Sequence, residues 1–504
     1  MPRAGRQDRA RQGFLGLSPG GGAGRAPAYR LAYDASVAIK ASGQGPIRIL
    51  VGSFGGLILL GTALLKLPFA TPPDAPISWL DSLFTATSAV CVTGLVVRDT
   101  GAGFTPFGQG VILSLIQLGG LGVMSFWLLI FWLLRGRVSL AFRTVFEHTV
   151  SSMVGARFAP VLRLIFLFAL TAEAVGAALL AVRFVPEMGL ARGLWHSVFH
   201  SVSAFCNAGF ALYPDSLVRY ADDPLVIAVV MMLIVLGGLG FFTVFDLVSW
   251  FGHRRRPASA SGRSGGTRPR GKYRLAVHTR ISLLVSAALI VVGAVLFWLI
   301  EAPSSLREEG RWAQVGASLF QSITTRTAGF NSVDLTALAP LTLFLMMMLM
   351  FVGGSSGSTA GGVKVTTLGV LFLTALARLR GHRNVNVFGR TLSASTTNAA
   401  LTVAAAGALS VVLGLFFLLL AEAPSRVVEQ NHAVFVEYFF ETVSALGTVG
   451  LSLGLTPELT PAGRVVVVVM MFLGRLGPLT VVAALAVDRP ADDWRHPEEE
   501  VMVG

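Results

Sequence analysis

The 504-residue chain is 53% hydrophobic and 13% charged, about half the charge of an ordinary soluble protein, which excludes a set of water-soluble domains and points to a polytopic membrane protein. Its net charge of +13 would suit a nucleic-acid binder, but the basic residues gather between apolar runs. That placement signals topology control, and no nucleic-acid partner is expected. Two cysteines, Cys91 and Cys206, form neither a disulfide framework nor a zinc spacing.

The chain opens with a basic tail, 1–46, that lacks an early apolar h-region. No cleavable signal peptide is predicted, and the first span serves as insertion signal. Apolar stretches able to cross a hydrocarbon core of about 30 Å begin near Ile47, Val111, Val161, Leu225, Ile281, Leu341, Ala400 and Val465. They come in pairs. Inside each pair lies a half-apolar connection holding a shorter segment: Trp79–Val90, Gly193–Phe205, Trp312–Thr324 and Ala433–Leu446. Segments this short cannot span and predict re-entrant helices, the first started by Ser78 and Asp81 at capping-box spacing.

The fold class is therefore all-α, with eight transmembrane helices in four span–loop–span repeats around a central pore. The repeats cover 47–135, 161–251, 281–380 and 396–487, with a basic linker at 252–280 and a C-terminal tail at 488–504. The N-terminus and the connections 135–163, 252–280 and 376–395 hold 26 basic and 3 acidic residues. The connections 70–108, 186–224, 301–340 and 421–463 hold 7 basic and 16 acidic residues. By the positive-inside rule the first set and both termini are cytoplasmic, and all four re-entrant segments enter from outside. The 252–280 stretch reads as a solvated Ser/Gly/Arg linker.

The four short segments share one register. They read FTATSAVCVTG to Gly94, FHSVSAFCNAG to Gly209, FQSITTRTAG to Gly329 and FETVSALGTVG to Gly450, with a single deletion in the third. The closing glycines are 115, 120 and 121 residues apart. Non-helical backbone at membrane depth survives where it lines a watery path. Rings of backbone carbonyls there can replace a cation's hydration shell, and glycine permits the conformation that turns them inward. Candidate filter residues are Val90, Cys91, Val92, Thr93 and Gly94; Phe205, Cys206, Asn207, Ala208 and Gly209; Arg326, Thr327, Ala328 and Gly329; and Leu446, Gly447, Thr448, Val449 and Gly450. The competing reading is ordinary glycine packing between membrane helices.

A further break lies in the third repeat, where an apolar run is interrupted by Gly353, Gly354, Ser355, Ser356, Gly357, Ser358, Thr359, Ala360, Gly361 and Gly362 before Lys364. A polar, flexible stretch in mid-membrane belongs in the pore, and this one is predicted to block conduction below the filter; a helix kink is the alternative. Lys364 either pairs with an acid or approaches the cytoplasm. Arg475, inside the last apolar span, is expected near the pore axis, where its charge opposes a cation; a salt bridge to a neighbouring span is the alternative. Glu173, mid-span, reads as a proton relay or, by preference, a structural partner. His196 and His200 stand four apart on one short helix, but Ser197 replaces the glutamate of a metalloprotease pair, so packing or an outer vestibule is favoured over an intramembrane metalloenzyme. No phosphate-binding loop is present, and the chain is not expected to be an enzyme.

These motifs resemble the Trk/Ktr/HKT superfamily of potassium transporters. The resemblance covers roughly 47–487 and is carried by TSAVCVTG (87–94), FQSITTRTAGF (320–330), GGSSGSTAGGVK (353–364) and GRLGPLT (474–480). Eight spans make the chain most similar to the membrane subunit of bacterial Ktr systems. The resemblance implies potassium uptake across a bacterial cell membrane, K+ held at the filter, and 353–364 as an intramembrane gating loop. It also implies a homodimer with one pore per protomer, a cytoplasmic nucleotide-binding ring of the KtrA/TrkA kind, and stimulation by Na+. No covalent cofactor is implied, and nucleotide acts only through the partner. Glycine at all four filter positions places the chain on the potassium side, with a sodium uniporter of the same fold as the rival.

Overall fold

The computed structural model describes residues 45–122, 158–255, 274–423 and 432–478, with Thr480. Both predicted tails, the end of repeat one and most of the 252–280 linker lie outside the described residues. Among those described, the chain is mostly helical, with fourteen α-helices and one short hairpin pairing Asn386–Val387 with Arg390–Thr391.

The helices form successive triplets. α1 (Gly45–Leu65), α2 (Trp79–Val90) and α3 (Pro106–Leu121) make the first, while α4 (Phe158–Met188), α5 (Leu190–Phe205) and α6 (Pro224–Gly238) make the second, extended by α7 (Phe241–Arg255). α8 (Val277–Glu301), α9 (Arg311–Thr324) and α10 (Pro340–Phe351) make the third, extended by α11 (Val365–Leu379). α12 (Ala394–Glu422), α13 (His432–Gly447) and α14 (Pro461–Leu476) complete the set. The short helices α2, α5, α9 and α13 fall on the four predicted re-entrant segments. Ser78 caps α2 as expected, accepting the Asp81 N–H at 3.0 Å. The third helix of each triplet opens on proline, whose fixed φ suits a first turn and whose missing N–H leaves nothing unbonded there: Pro106, Pro224, Pro340 and Pro461.

Among the described residues, α4, α8 and α12 are each long and apolar enough to cross a bilayer, and α6 and α7 reach that length only when taken together across a 94° bend. The third helix of each triplet is shorter, 12 to 16 residues. Repeat three is thus not alone in having a break there, since α6 gives way to α7 across the bend. A recurring Gly-x-Leu-Gly run ends α3, α6 and α14 at Gly122, Gly240 and Gly477, whose φ values of +81°, +76° and +86° lie in the left-handed region that a helix cannot contain. In the third triplet the 353–362 segment takes that place.

Packing is inverted relative to a soluble protein. Leu167, Leu170, Val291, Val292, Phe416 and Leu420 on the long helices are exposed, whereas Thr87, Ser88, Ser203, Gln321 and Glu441 on the short ones are buried. Lipid solvates the first group, and the second is reserved for a polar interior. Four buried phenylalanines at one register, Phe84, Phe199, Phe320 and Phe440, anchor the short helices. Each long helix carries a glycine where its short partner rests. A methyl group on Gly61 would lie 3.2 Å from Ala86 Cβ, on Gly176 2.6 Å from Ser201 Oγ, on Gly293 2.5 Å from Ser322 Oγ, and on Gly414 3.4 Å from Thr442 Cγ2. Small residues let the helices approach, the main source of attraction where lipid removes the hydrophobic drive.

Polar ties close the assembly at the ends of the long helices. Glu301 accepts the Ala339 N–H at 2.9 Å and the Thr342 hydroxyl, and Glu422 accepts the Thr460 N–H at 2.9 Å. Arg183 pairs with Asp223 at 2.6 Å. Arg464 of α14 pairs with Asp81 of α2 at 2.5 Å, joining the last triplet to the first.

Gly293→Leu should force α8 from α9 and lower stability by about 1–3 kcal/mol, read as a lower thermal midpoint in detergent. Gly55→Leu, at a position with nothing within 4 Å of a methyl group, should leave the midpoint unchanged.

Candidate functional site

The four predicted glycines meet. A methyl group on Gly94 would sit 3.1 Å from Gly209 Cα, one on Gly209 2.9 Å from Gly329 Cα, one on Gly329 3.3 Å from Gly450 Cα, and one on Gly450 3.0 Å from Gly94 Cα. The contacts run once around in chain order, so the four loops form a closed ring with triplets one and three, and two and four, facing each other. The carbonyls of Ala208, Ala328, Val449 and Thr93 lie beside Gly94, Gly209, Gly329 and Gly450 respectively, each against the glycine of the preceding loop in the cycle.

A second left-handed residue stands two places before each glycine. Val92, Asn207, Thr327 and Thr448 have φ of +56°, +58°, +69° and +50°. This conformation costs a side-chain-bearing residue of order 1 kcal/mol or more, and it recurs in all four loops. It ends each short helix. In loops one, two and four the chain closes with N–H bonds from Thr93 to Ser88, Ala208 to Ser203 and Val449 to Ser444, all 2.8 Å and five residues back. In loop three Ala328 bonds Thr324, four back, at 2.9 Å. The single deletion is thus absorbed in the turn, and Gly329 stays in the ring. Three threonine hydroxyls of these loops, Thr93, Thr327 and Thr448, are buried with no hydrogen-bond partner. Such oxygens suit a cation that is itself seeking ligands.

Sequence reasoning missed the residues that hold the loops. Ser88 and Ser444 accept the N–H of Gly94 and Gly450, both at 3.1 Å, while Ser203 and Thr324 donate to the carbonyls of Phe210 and Phe330 at 2.8 and 2.5 Å. The signal was a serine six places before the glycine in three repeats. Gly119, Gly237 and Gly474 were also overlooked, though the Gly-x-Leu-Gly run marks them. A methyl group on any of them would strike the carbonyl of Val90, Phe205 or Leu446, the last turn of the neighbouring short helix.

The 353–362 segment is ordered by hydrogen bonds to three other parts of the chain. Gly353 N–H bonds Val363 O at 2.8 Å, pinching the loop at its base. Ser355 N–H and Thr359 N–H reach Gly238 O and Gly237 O at 3.0 and 3.3 Å, and Ser355 Oγ receives the Ser282 hydroxyl at 2.6 Å. Thr359 Oγ1 donates to Phe205 O at 3.3 Å, and Gly361 packs against Thr448 beside the ring. The loop therefore lies against the ends of the short helices, next to a cavity of about 290 Å³ lined by Phe54, Phe168, Gly237, Thr359, Lys364 and Arg475.

Three cations of this region, Arg475, Lys364 and Arg326, use main-chain oxygens. Arg475 donates to Thr359 O, to Gly119 O at 2.5 Å and to Gly120 O at 3.4 Å, so it fastens the loop to the end of α3. Lys364 donates to Ala360 O and Gly361 O at 2.7 and 3.2 Å, so main-chain oxygens stand where an acid partner was one expectation. Arg326 directs its guanidinium behind the ring, to Ser286 O at 2.8 Å and Gly353 O at 3.3 Å; its side chain does not join the filter candidates. Glu173 takes the structural role, accepting both bonds of Gln117 Nε2 at 3.0 and 3.1 Å and so tying α4 to α3. His196 and His200 stack with Tyr213 in a buried aromatic cluster. Among the described residues no three His, Cys, Asp or Glu side chains gather as metal ligands.

Residues 54–496 match the TrkH family, described as cation transport protein. Ktr system potassium uptake protein B of Bacillus subtilis is 38% identical over 91% of this chain and 97% of its own length. Potassium/sodium uptake protein NtpJ of Enterococcus hirae is 36% identical over 91% and 97%. The crystal structure of the potassium transporter TrkH from Vibrio parahaemolyticus superposes with a TM-score of 0.68, covering 88% of this chain and 85% of that one at 19% identity. That last likeness is one of fold.

Arg475→Ala removes the donor that holds the loop. Amide hydrogen exchange across 353–362 should rise severalfold, while exchange at the ends of α2 and α13 stays as in the parent protein.

Proposed function

Because this chain belongs to the TrkH family of cation transport proteins, we propose that it takes up potassium through the ring of Gly94, Gly209, Gly329 and Gly450. The observation that carries this reading is the cyclic approach of those glycines with a carbonyl beside each. A dehydrated K+ needs oxygens on several sides, and four loops supply them from one chain. The helices α2, α5, α9 and α13 end within five residues of the ring glycines, so their C-terminal partial charges favour a cation there. In this reading the four triplets are four repeats around one pore, eight spans in all, with the termini cytoplasmic. An inward-directed potential contributes about 2.3 kcal/mol per charge per 100 mV, and no ATPase is needed in the chain itself.

The 353–364 segment is the proposed gate. It packs by the ring, and its hydrogen bonds run through small residues and hydroxyls, which can exchange partners at little steric cost. Arg475 holds it shut through Thr359 O and sets a positive charge under the filter, which limits cation occupancy. Relatives named as parts of a Ktr system support further subunits, for which a cytoplasmic nucleotide-binding ring and a second copy of this chain are proposed. Sodium conduction or stimulation has one observation in its favour, the relative named a potassium/sodium uptake protein.

In proteoliposomes, rubidium uptake should be inhibited weakly by sodium. Gly94→Ser or Gly209→Ser should lower that preference by about tenfold or more, since an added side chain at positive φ enters the next loop. Equal uptake of both ions by the unmodified protein would instead establish the sodium reading. Removing residues 354–361, or Arg475→Ala, should raise rubidium flux severalfold; unchanged flux in both would reduce the segment to a kink.

A further inference from the structure

The residue following each buried phenylalanine of the short helices occupies one register: Thr85, His200, Gln321 and Glu441. Two of these reach past the ring to the segment beyond it. His200 is fully buried; its Nδ1 lies 2.8 Å from His196 O, and its Nε2 lies 3.3 Å from the Leu212 N–H. Leu212 N can only donate, so Nε2 accepts and Nδ1 carries the proton. Leu212 is the third residue after Gly209. Glu441, also fully buried, accepts the Ser452 hydroxyl at 2.8 Å and the Thr456 hydroxyl. Ser452 is the second residue after Gly450, and its oxygen also receives Gly454 N–H at 3.2 Å.

In repeat three the corresponding groups, the Gln321 amide and the Ser332 hydroxyl, are buried without partners. The clamps thus stand in repeats two and four, which face each other across the ring.

We propose that Glu441 and His200 are positioning residues that fix, from opposite sides, the main chain just outside Gly450 and Gly209, and so set the ion preference of the ring. The inference rests on that ring being the potassium filter. Carbonyls discriminate between ions only while their spacing is held, and a buried side chain hydrogen-bonded to the flanking loop holds it. Both bonds run from the α13 side chain of Glu441 to the 452–456 turn.

The test is rubidium uptake with sodium competition in proteoliposomes of the full chain. Glu441→Ala should lower rubidium-over-sodium preference about fivefold, the worth of one lost buried hydrogen bond, with the saturating rate held within about twofold. Glu441→Gln should restore the preference, since hydroxyls can donate to its oxygen or accept from its nitrogen. Thr456→Val and Ser452→Ala, which remove the partners instead, should act as Glu441→Ala does and serve if that variant does not fold. Gln321→Leu should change nothing. Wild-type preference in folded Glu441→Ala, or in both partner variants, would overturn the inference, as would a Gln variant as impaired as Ala. Failure of the unmodified protein to take up rubidium, or an unaltered preference in Gly209→Ser, would instead overturn the filter reading.

Discussion

Everything in this protein is arranged around the close approach of four main-chain segments that carry no side chain at the point of contact. A ring in which each glycine lies against the next leaves no volume for a Cβ, and its φ values of +92°, +71°, +78° and +93° are open only to glycine without strain. Hydrocarbon tolerates such exposed carbonyls only inside a protein-lined path. The surrounding helices bury the residues that carry those carbonyls, Thr93, Ala208, Ala328 and Val449.

The same constraint recurs one layer out. The short helices must end at the ring, so their last carbonyls press on Gly119, Gly237 and Gly474, and their flanks rest on Gly61, Gly176, Gly293 and Gly414. Glycine here is a packing device between helices, whereas in the ring it is a conformational one. Both uses appear in one chain with 56 glycines. The polar side chains of the short helices face inward and are bonded locally, and the long helices offer leucine, valine and phenylalanine to lipid.

Charge is handled with equal economy. Arg475, Lys364 and Arg326 are satisfied by peptide oxygens, which neutralise nothing. A peptide oxygen, unlike a carboxylate, brings no net charge to set against the cation it binds. Carboxylates such as Glu301, Glu422 and Asp223 serve instead at helix ends, accepting N–H groups that would otherwise be unbonded.

The sequence by itself determined the helical class, the four short helices to within three residues, the ring glycines and the interrupting segment. Each is a local property, legible from apolar length, from a repeated register, or from glycine where no other residue fits. It did not disclose the bend between α6 and α7, the serines that brace the loops, or the hydrogen bonds of His200 and Glu441. Only tertiary structure decided these, because each depends on which atoms meet across distant repeats. Arg475 shows the division plainly: an arginine in an apolar run must find oxygens, but that they belong to Thr359 and Gly119 follows from how the triplets close around the ring.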